Sequence, residues 1–440
     1  MSFFALASIL VSLAAVSSYI NHRYLKLPTT VGVMLVALIP SLLLILAGPY
    51  LGGFRGYAAH LVKRIDFDQI VLHGMLAFLL FAGAIHVKLK DLGREWLPIS
   101  LLAVLGTLTS TFIIGGTTWL VLGWLGIPVP FMHALLFGAI ISPTDPIAVL
   151  GIMKSVGAPK QLEVQIAGES LFNDGLAVVV FLLLFEIAGM GKAPAGAEAQ
   201  AIDAGTVAML LIKEVGGALV LGLAAGGITY QMLKRVDNYQ FEVLLTLALA
   251  MGLYALADAL HLSAPIAIVI AGLLIGNQGR ALAMSNEGRE NVDTFWELID
   301  GILNVILFML IGLELLVMPI QREWLLAGGI AIAIVLLARF LSVAAIIGAL
   351  RTVTSQSRGA IRVLTWGGLR GGISVAMALS LPANESRSLL LTLTYIVVIF
   401  SLLVQGLTVG RLIRRVKGAA EAPPSLPSPP SPHSPPAAGL

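Results

Sequence analysis

The chain of 440 residues contains no cysteine and few charged residues. Without cysteine the chain has no disulfide framework. Lys, Arg, Asp and Glu together make up 12% of the residues, whereas soluble domains carry about 25%. Hydrophobic residues make up 58%, which predicts a polytopic, all-α membrane protein. The net charge of +3 is too small to indicate a nucleic-acid partner.

Sequence patterns of several enzyme classes are also missing. The chain has no GxxxxGK[ST] loop, which argues against an ATP-driven pump. It has neither an HExxH zinc motif nor a GxSxG elbow, so nothing indicates a membrane protease or esterase. We therefore expect a membrane protein that is not an enzyme and that needs no cofactor.

Thirteen stretches are apolar enough to be helices that cross a bilayer, for which roughly 20 apolar residues are needed. They are 2–20, 28–48, 69–87, 97–122, 130–153, 162–188, 206–232, 241–257, 264–279, 293–317, 324–350, 361–381 and 388–411. The last residues, 418–440, are rich in proline and serine, which predicts a disordered tail after a transmembrane domain of residues 1–417.

The basic residues of the loops predict the orientation of the chain. Most of them fall on the cytoplasmic side if the N-terminus is outside and the C-terminus is cytoplasmic. Arg55, Lys63 and Arg64 are the exceptions, because all three lie in one loop that this orientation places outside. We expect a multi-pass protein of the cell membrane with this topology.

Two of the predicted spans contain residues that interrupt helices. In the fifth span, Pro143 and Pro146 flank Thr144 and Asp145, and proline removes a backbone donor. In the twelfth, four glycines surround Arg370 within 365–374. The breaks lie seven spans apart, which predicts a 6+1+6 inverted repeat whose two unwound helices cross near the bilayer midplane. The alternative is a proline kink and a glycine packing face that coincide by chance.

Polar residues cluster in the fifth and sixth spans, where burial in lipid is expected. They are Thr144, Asp145, Glu169, Ser170, Asn173 and Asp174. A charge at bilayer depth costs about 2.5–3.5 kcal/mol on insertion scales, so the cluster indicates an ion site. Glu169 and Asn173 are four residues apart, as are Ser170 and Asp174, so both pairs lie on roughly one stripe of a helix that should face the break.

The cluster has the chemistry of a site for a hard cation, which prefers oxygen ligands. Asp174 supplies a carboxylate, Ser170 a hydroxyl, and Thr144 a hydroxyl or a freed carbonyl. Asp174 can instead take a proton, and a carboxylate that binds one or the other is sufficient for exchange. Because position 173 is Asn and not Asp, one free carboxylate remains, and the simplest cycle exchanges one proton for one monovalent cation without net charge movement.

The other charged residues are predicted to support this site. We expect Arg339 to pair with Glu169, with Asn173 as a hydrogen-bonded third member. Arg370 should lie among the carbonyl ends of the broken helices, and Asp145 at their positive N-terminal ends. The alternative for each arginine is that it extends to the membrane interface.

Three segments in this order, ISPTDPIAVL (141–150), GESLFNDGLAVV (168–179) and WGGLRGGIS (366–374), resemble the cation/proton antiporters of the NhaP and sodium/proton exchanger type. The likeness covers roughly residues 1–415. It implies a homodimer in which a core domain, about 69–188 and 293–411, carries ions past dimerisation helices, about 1–48 and 206–279. It also implies an ion site of Thr144, Ser170 and Asp174 with Asp145 beside it, and a support of Glu169, Asn173 and Arg339.

One departure concerns the third span. Many bacterial relatives have a glutamate in a stretch like FEGAL, whereas this chain reads FAGAI (81–85) with Ala82 at that position. The Asn–Asp pair at 173–174 marks the electroneutral branch of the family.

The expected function is exchange of Na⁺ or Li⁺ for H⁺ across the membrane by alternating access. The partners are these ions, membrane lipid and a second copy of the chain. A K⁺/H⁺ exchanger of the same fold is one alternative. A cation channel or a non-transporting pH or ion sensor is an alternative from a different class, and a channel would need a continuous polar pore.

Overall fold

A computed structural model describes residues 3–47, 56, 60, 62, 67–190, 204–280, 283–318, 321–357 and 359–421. Within these residues the regular secondary structure is helical and contains no strand, which confirms the predicted all-α class. The loop residues Arg55, Lys63 and Arg64 and the segment 422–440 lie outside the described residues.

The first half of the chain contains helices α1 to α9. They are α1 (Phe3–Ile20), α2 (Thr29–Ala47), α3 (Leu76–Ile85), α4 (Leu89–Arg94), α5 (Trp96–Leu101), α6 (Thr107–Trp124), α7 (Phe131–Ile141), α8 (Ile147–Val156) and α9 (Lys160–Ile187). A π-helical turn, Gln69–Met75, leads into α3, and another, Leu102–Gly106, joins α5 to α6.

The second half contains helices α10 to α18. They are α10 (Ala204–Leu233), α11 (Tyr239–Ala259), α12 (Ala264–Leu274), α13 (Asn286–Glu314), α14 (Arg322–Leu350), α15 (Ala360–Trp366), α16 (Gly372–Leu379), α17 (Glu385–Phe400) and α18 (Gly406–Glu421). Helix α18 therefore continues for a few residues past 418, where the sequence predicts the tail to begin.

Many of these helices have the length and composition of membrane spans. Among the described residues, eight helical segments are long and apolar enough to cross a membrane, and shorter apolar helices cover 69–85, 131–141, 147–156 and 264–279. These segments agree with a polytopic membrane protein. The number of thirteen crossings and the inverted repeat stay predictions.

Both predicted breaks are present, and they lie against each other. Helix α7 ends at Ile141 and α8 begins at Ile147, while α15 ends at Trp366 and α16 begins at Gly372. The main-chain N–H of Asp145 in the first break donates a hydrogen bond of 2.8 Å to the carbonyl of Leu369 in the second. The two broken helices therefore cross where each is unwound.

Two helices of the predicted core domain, α3 and α13, pack mainly against helices predicted for dimerisation. Helix α3 packs against α12, and α13 packs against α2. Glycine makes both contacts close: a Cβ at Gly276, in the π-helical turn just after α12, would lie 2.7 Å from the carbonyl carbon of Ile85, and one at Gly312 would lie 2.7 Å from the carbonyl oxygen of Met34. These contacts group spans 69–87 and 293–317 with the helices predicted for dimerisation.

Candidate ion site

A cavity of about 630 Å³ lies beside the crossing of the broken helices. Its wall contains all four residues that the sequence predicts to bind the cation or proton: Thr144, Asp145, Ser170 and Asp174. Charged residues of the loops and helix ends also line it, namely Lys88, Asp91, Lys154, Lys160 and Glu163, and so do Glu297 and Asp300 of α13. The structure thus brings the predicted site residues together around one space that extends to a charged rim.

Of the two predicted site residues with a carboxylate, Asp145 accepts a backbone hydrogen bond, whereas Asp174 has no protein partner among the described residues. Asp174 lies on α9, it is half-buried, and it lines the cavity. No residue that the structure describes donates a hydrogen bond to its side chain or forms an ion pair with it. A partly desolvated carboxylate without a protein partner can take up a proton or a cation.

The oxygens next to Asp174 come from α9 and from the first break. The Ser170 hydroxyl donates a hydrogen bond to the Thr144 carbonyl. Asn173 Nδ2 donates to Thr144 Oγ1 at 2.9 Å, and the Thr144 N–H donates to Asn173 Oδ1 at 3.4 Å. The N–H and carbonyl of Thr144 are backbone groups that the proline-broken helix leaves unpaired, so these bonds hold the unwound segment against α9.

These contacts correct the predicted role of Asn173. The sequence analysis made it a third member of the pair between Glu169 and Arg339, whereas its amide bonds to Thr144 at both of its polar atoms. The reason is that the unwound backbone at Thr144 offers unpaired groups, while Glu169 is already held by the guanidinium.

The predicted pair of Glu169 and Arg339 is present and buried. Arg339 Nη1 donates to Glu169 Oε1, and Nη2 donates to Oε2 at 2.9 Å. The side chains of Arg339 and Glu169 are 5% and 1% exposed. Arg339 Nη2 also donates to the Leu364 carbonyl at 3.1 Å, close to the end of α15. The pair therefore connects α9 and α14 to the second broken helix.

Arg370 lies at the carbonyl end of the first broken helix, as expected. It is 2% exposed, which excludes the alternative that it extends to the interface. Its Nη1 donates to the Ser142 carbonyl and, at 2.9 Å, to the Pro143 carbonyl. Ser142 directly follows α7, so the guanidinium is placed where a helix carries partial negative charge.

Asp145 lies at the N-terminal ends of the two half-helices that follow the breaks, α8 and α16. Its Oδ1 accepts a hydrogen bond of 3.0 Å from the N–H of Ile147, the first residue of α8. A Cβ at Gly371, which directly precedes α16, would overlap the Asp145 carboxylate. The carboxylate therefore meets the positive N-terminal ends of both α8 and α16, as the sequence predicts, and glycine at 371 permits that approach.

Ser374 is a polar residue of the wall that the sequence analysis did not single out. It lies in the first turn of α16, lines the cavity and is 1% exposed. Its hydroxyl has no hydrogen-bond partner among the described residues. The signal for it in the sequence was its position at the end of the glycine-rich segment WGGLRGGIS (366–374).

Comparison with known proteins places these features in a family. The model of the family described as "Sodium/hydrogen exchanger, transmembrane" matches residues 10–415. The chain belongs to the sodium/hydrogen exchanger family. It is a multi-pass membrane protein, in agreement with its apolar helices.

Individual relatives match over nearly the whole chain. The Na⁺/H⁺ antiporter NhaP of Pseudomonas aeruginosa is 49% identical over 93% of this chain and 96% of the relative. The Na⁺/H⁺ antiporter NhaH of Halobacillus aidingensis is 35% identical over 90% of this chain and 93% of the relative. The solved structure of the sodium proton antiporter MjNhaP1 from Methanocaldococcus jannaschii matches with a TM-score of 0.73 at 20% identity, over 95% of this chain and 100% of that one, which shows a shared fold.

Proposed function

We propose that the chain is a secondary-active antiporter that exchanges Na⁺ or Li⁺ for H⁺ across the cell membrane by alternating access. The observation that carries this proposal is the Asp174 carboxylate, which lines the cavity beside two crossing broken helices without a described protein partner. Broken helices that meet in this way are typical of the substrate sites of secondary transporters.

Sodium is the cation that the relatives favour. The relatives described above from Pseudomonas aeruginosa and Halobacillus aidingensis are named Na⁺/H⁺ antiporters, and these names do not favour the K⁺/H⁺ alternative. A channel or a sensor is less well supported, because neither needs a titratable carboxylate held free of partners in a cavity wall.

The charges around the site support a cycle with one proton for one cation. The buried pair of Glu169 and Arg339 is neutral as a unit. The Asp145 carboxylate is stabilised by the positive N-terminal ends of α8 and α16. Asp174 then remains as the one carboxylate of this predicted set that can alternate between a proton and Na⁺, with Thr144 and Ser170 as neutral oxygen ligands.

The position of the cavity supports an inward-facing conformation, in which the site is open to the cytoplasm. Its rim contains Lys88, Lys154 and Lys160, which lie in or next to connections that the predicted orientation places in the cytoplasm. With the N-terminus outside and the C-terminus cytoplasmic, the cavity faces the cytoplasm.

For the dimer, we assign the interface to helices α1, α2 and α10–α12, with α3 and α13 packed on the same side of the core.

The test is transport by the purified chain in proteoliposomes that carry an internal pH dye. We expect addition of Na⁺ or Li⁺ to dissipate an imposed proton gradient with saturation, and K⁺ to do so weakly. Flux that does not saturate and does not move protons would identify a channel. Sodium binding without any flux would identify a sensor.

A further inference from the structure

The hydroxyl of Ser374 is unusual among the polar groups at this site because it is buried without a partner. Ser170 and Thr144 both have hydrogen-bond partners, and the guanidinium of Arg370 bonds two carbonyls. Ser374 is 1% exposed, and its oxygen bonds to no described residue.

An unpartnered buried hydroxyl is unfavourable in the absence of a ligand. Burial removes its bonds to water, and nothing in the described protein replaces them. Serine could avoid this cost by turning to the carbonyl three or four residues earlier, as Ser142 and Ser380 do here. Ser374 lies in the first turn of α16, where the preceding residues belong to the break, and it makes no such bond.

The position of Ser374 in the cavity wall indicates that its ligand is the cation bound at Asp174. Ser374 lines the same cavity as Asp174, Ser170 and Thr144. Hard cations bound by proteins take roughly six or more oxygen ligands, whereas the predicted Na⁺ ligands Thr144, Ser170 and Asp174 are only three side chains. Ser374 would add an oxygen from the second broken helix, where the predicted set has none.

We infer that the Ser374 hydroxyl oxygen is a further ligand of the transported cation. This inference rests on the proposed function and extends it: the cation is bound by α9, by the first break and by α16 together. Binding of Na⁺ supplies the Ser374 hydroxyl with a partner that no described residue provides. Removal of the hydroxyl therefore weakens cation binding, and in the absence of Na⁺ it leaves the protein at least as stable as before.

The experiment compares Ser374→Ala with Thr394→Val in the full-length protein. Thr394 is a matched control, because it is 0% exposed, its hydroxyl also has no partner among the described residues, and it does not line the cavity. Two quantities are measured for each variant: the Na⁺ concentration for half-maximal exchange together with the maximal rate, and the melting temperature in detergent with and without Na⁺.

We expect Ser374→Ala to raise the half-saturating Na⁺ concentration about tenfold, which corresponds to about 1.4 kcal/mol, with the maximal rate largely kept. Its melting temperature without Na⁺ should be at or above that of the unmodified chain, while the rise caused by a fixed Na⁺ concentration should shrink. Thr394→Val should leave the half-saturating concentration and the rise caused by Na⁺ unchanged.

A second variant keeps the test decisive if Ser374→Ala cannot be purified. Ser374→Cys preserves the shape of the side chain and replaces a hard oxygen by a soft sulfur, so it should weaken Na⁺ binding in the same way. An unchanged half-saturating concentration in either variant, or a melting temperature without Na⁺ well below that of the unmodified chain, overturns the role of Ser374. If the unmodified chain responds to Na⁺ in neither measurement, the proposed function itself fails.

Discussion

The two terminal nitrogens of Arg339 donate hydrogen bonds to both carboxylate oxygens of Glu169, which lies on α9 five residues before Asp174. The arginine comes from α14 and also bonds the Leu364 carbonyl of α15. Bidentate pairing of this kind fixes direction as well as distance. The relationship explains how an acidic residue can be buried so close to the predicted exchange site without repelling the charge of Asp174.

Removal of Arg339 should destabilise the protein strongly. Arg339→Ala leaves the Glu169 carboxylate buried without its cation, which costs about 3–5 kcal/mol. Lys160→Ala is the control, because its pair with Glu163 is exposed on the lysine side and is worth less than about 1 kcal/mol. Denaturation of the purified variants measures both values.

A double-mutant cycle tests the pairing itself. The double variant Glu169→Gln with Arg339→Ala should be destabilised far less than the sum of the two single variants, because it no longer contains a buried charge without a partner. Additive effects would show that the two residues do not act as a pair.

Asp174→Asn should abolish exchange and leave the fold intact. The amide has the size of the carboxylate but binds neither a proton nor a cation by charge, and no described hydrogen bond to the side chain is lost. Proton-coupled Na⁺ flux in proteoliposomes measures the activity, and gel filtration with a melting curve measures the fold. Substantial flux in a folded variant would remove Asp174 as the carrier.

Exchange should be insensitive to membrane voltage. One free carboxylate that carries either H⁺ or Na⁺ moves no net charge in a complete cycle, so a potential does no work on it. The check is the exchange rate at fixed pH while a valinomycin-clamped K⁺ gradient sets the voltage. A rate that follows the imposed voltage would contradict the one-for-one stoichiometry.

Close packing of α6 on α7 should depend on Gly138. A Cβ at this position would lie 3.0 Å from the carbonyl carbon of Thr111 and closer to its oxygen, so Gly138→Ala should destabilise the protein by about 1–3 kcal/mol. Gly116 on α6 is the control, because nothing lies within 4 Å of an added Cβ there. Gly116→Ala should be neutral or stabilise by up to about 1 kcal/mol. Equal effects of the two substitutions on the melting temperature would refute the contact.

The sequence was sufficient for the features that depend on local chemistry. Two prolines around Thr144 and four glycines around Arg370 interrupt helices wherever those helices lie, so both breaks could be predicted. The pairing of Glu169 with Arg339 could be predicted because a buried carboxylate needs a cation and the spans contain few.

Other features depend on packing that periodicity does not encode. Helical spacing puts Asn173 on the same stripe as Glu169, but it does not reveal that the unwound backbone of Thr144 lies closer to the amide than the ion pair does. The association of α3 with α12 follows from the fit of Gly276 against Ile85, which only the folded chain shows. Ser374 was missed because a serine at the start of a helix usually finds a local partner.

The bond from the Asp145 N–H to the Leu369 carbonyl has a consequence for motion. It joins the two unwound segments backbone to backbone, and Arg370 adds side-chain bonds across the same junction. Separation of the segments would strand several polar groups in a medium that offers no water in exchange. When the site changes from facing one side of the membrane to facing the other, these bonds are preserved only if both broken helices move as one rigid body. The chain must then bend at the loops that connect this rigid body to its neighbours.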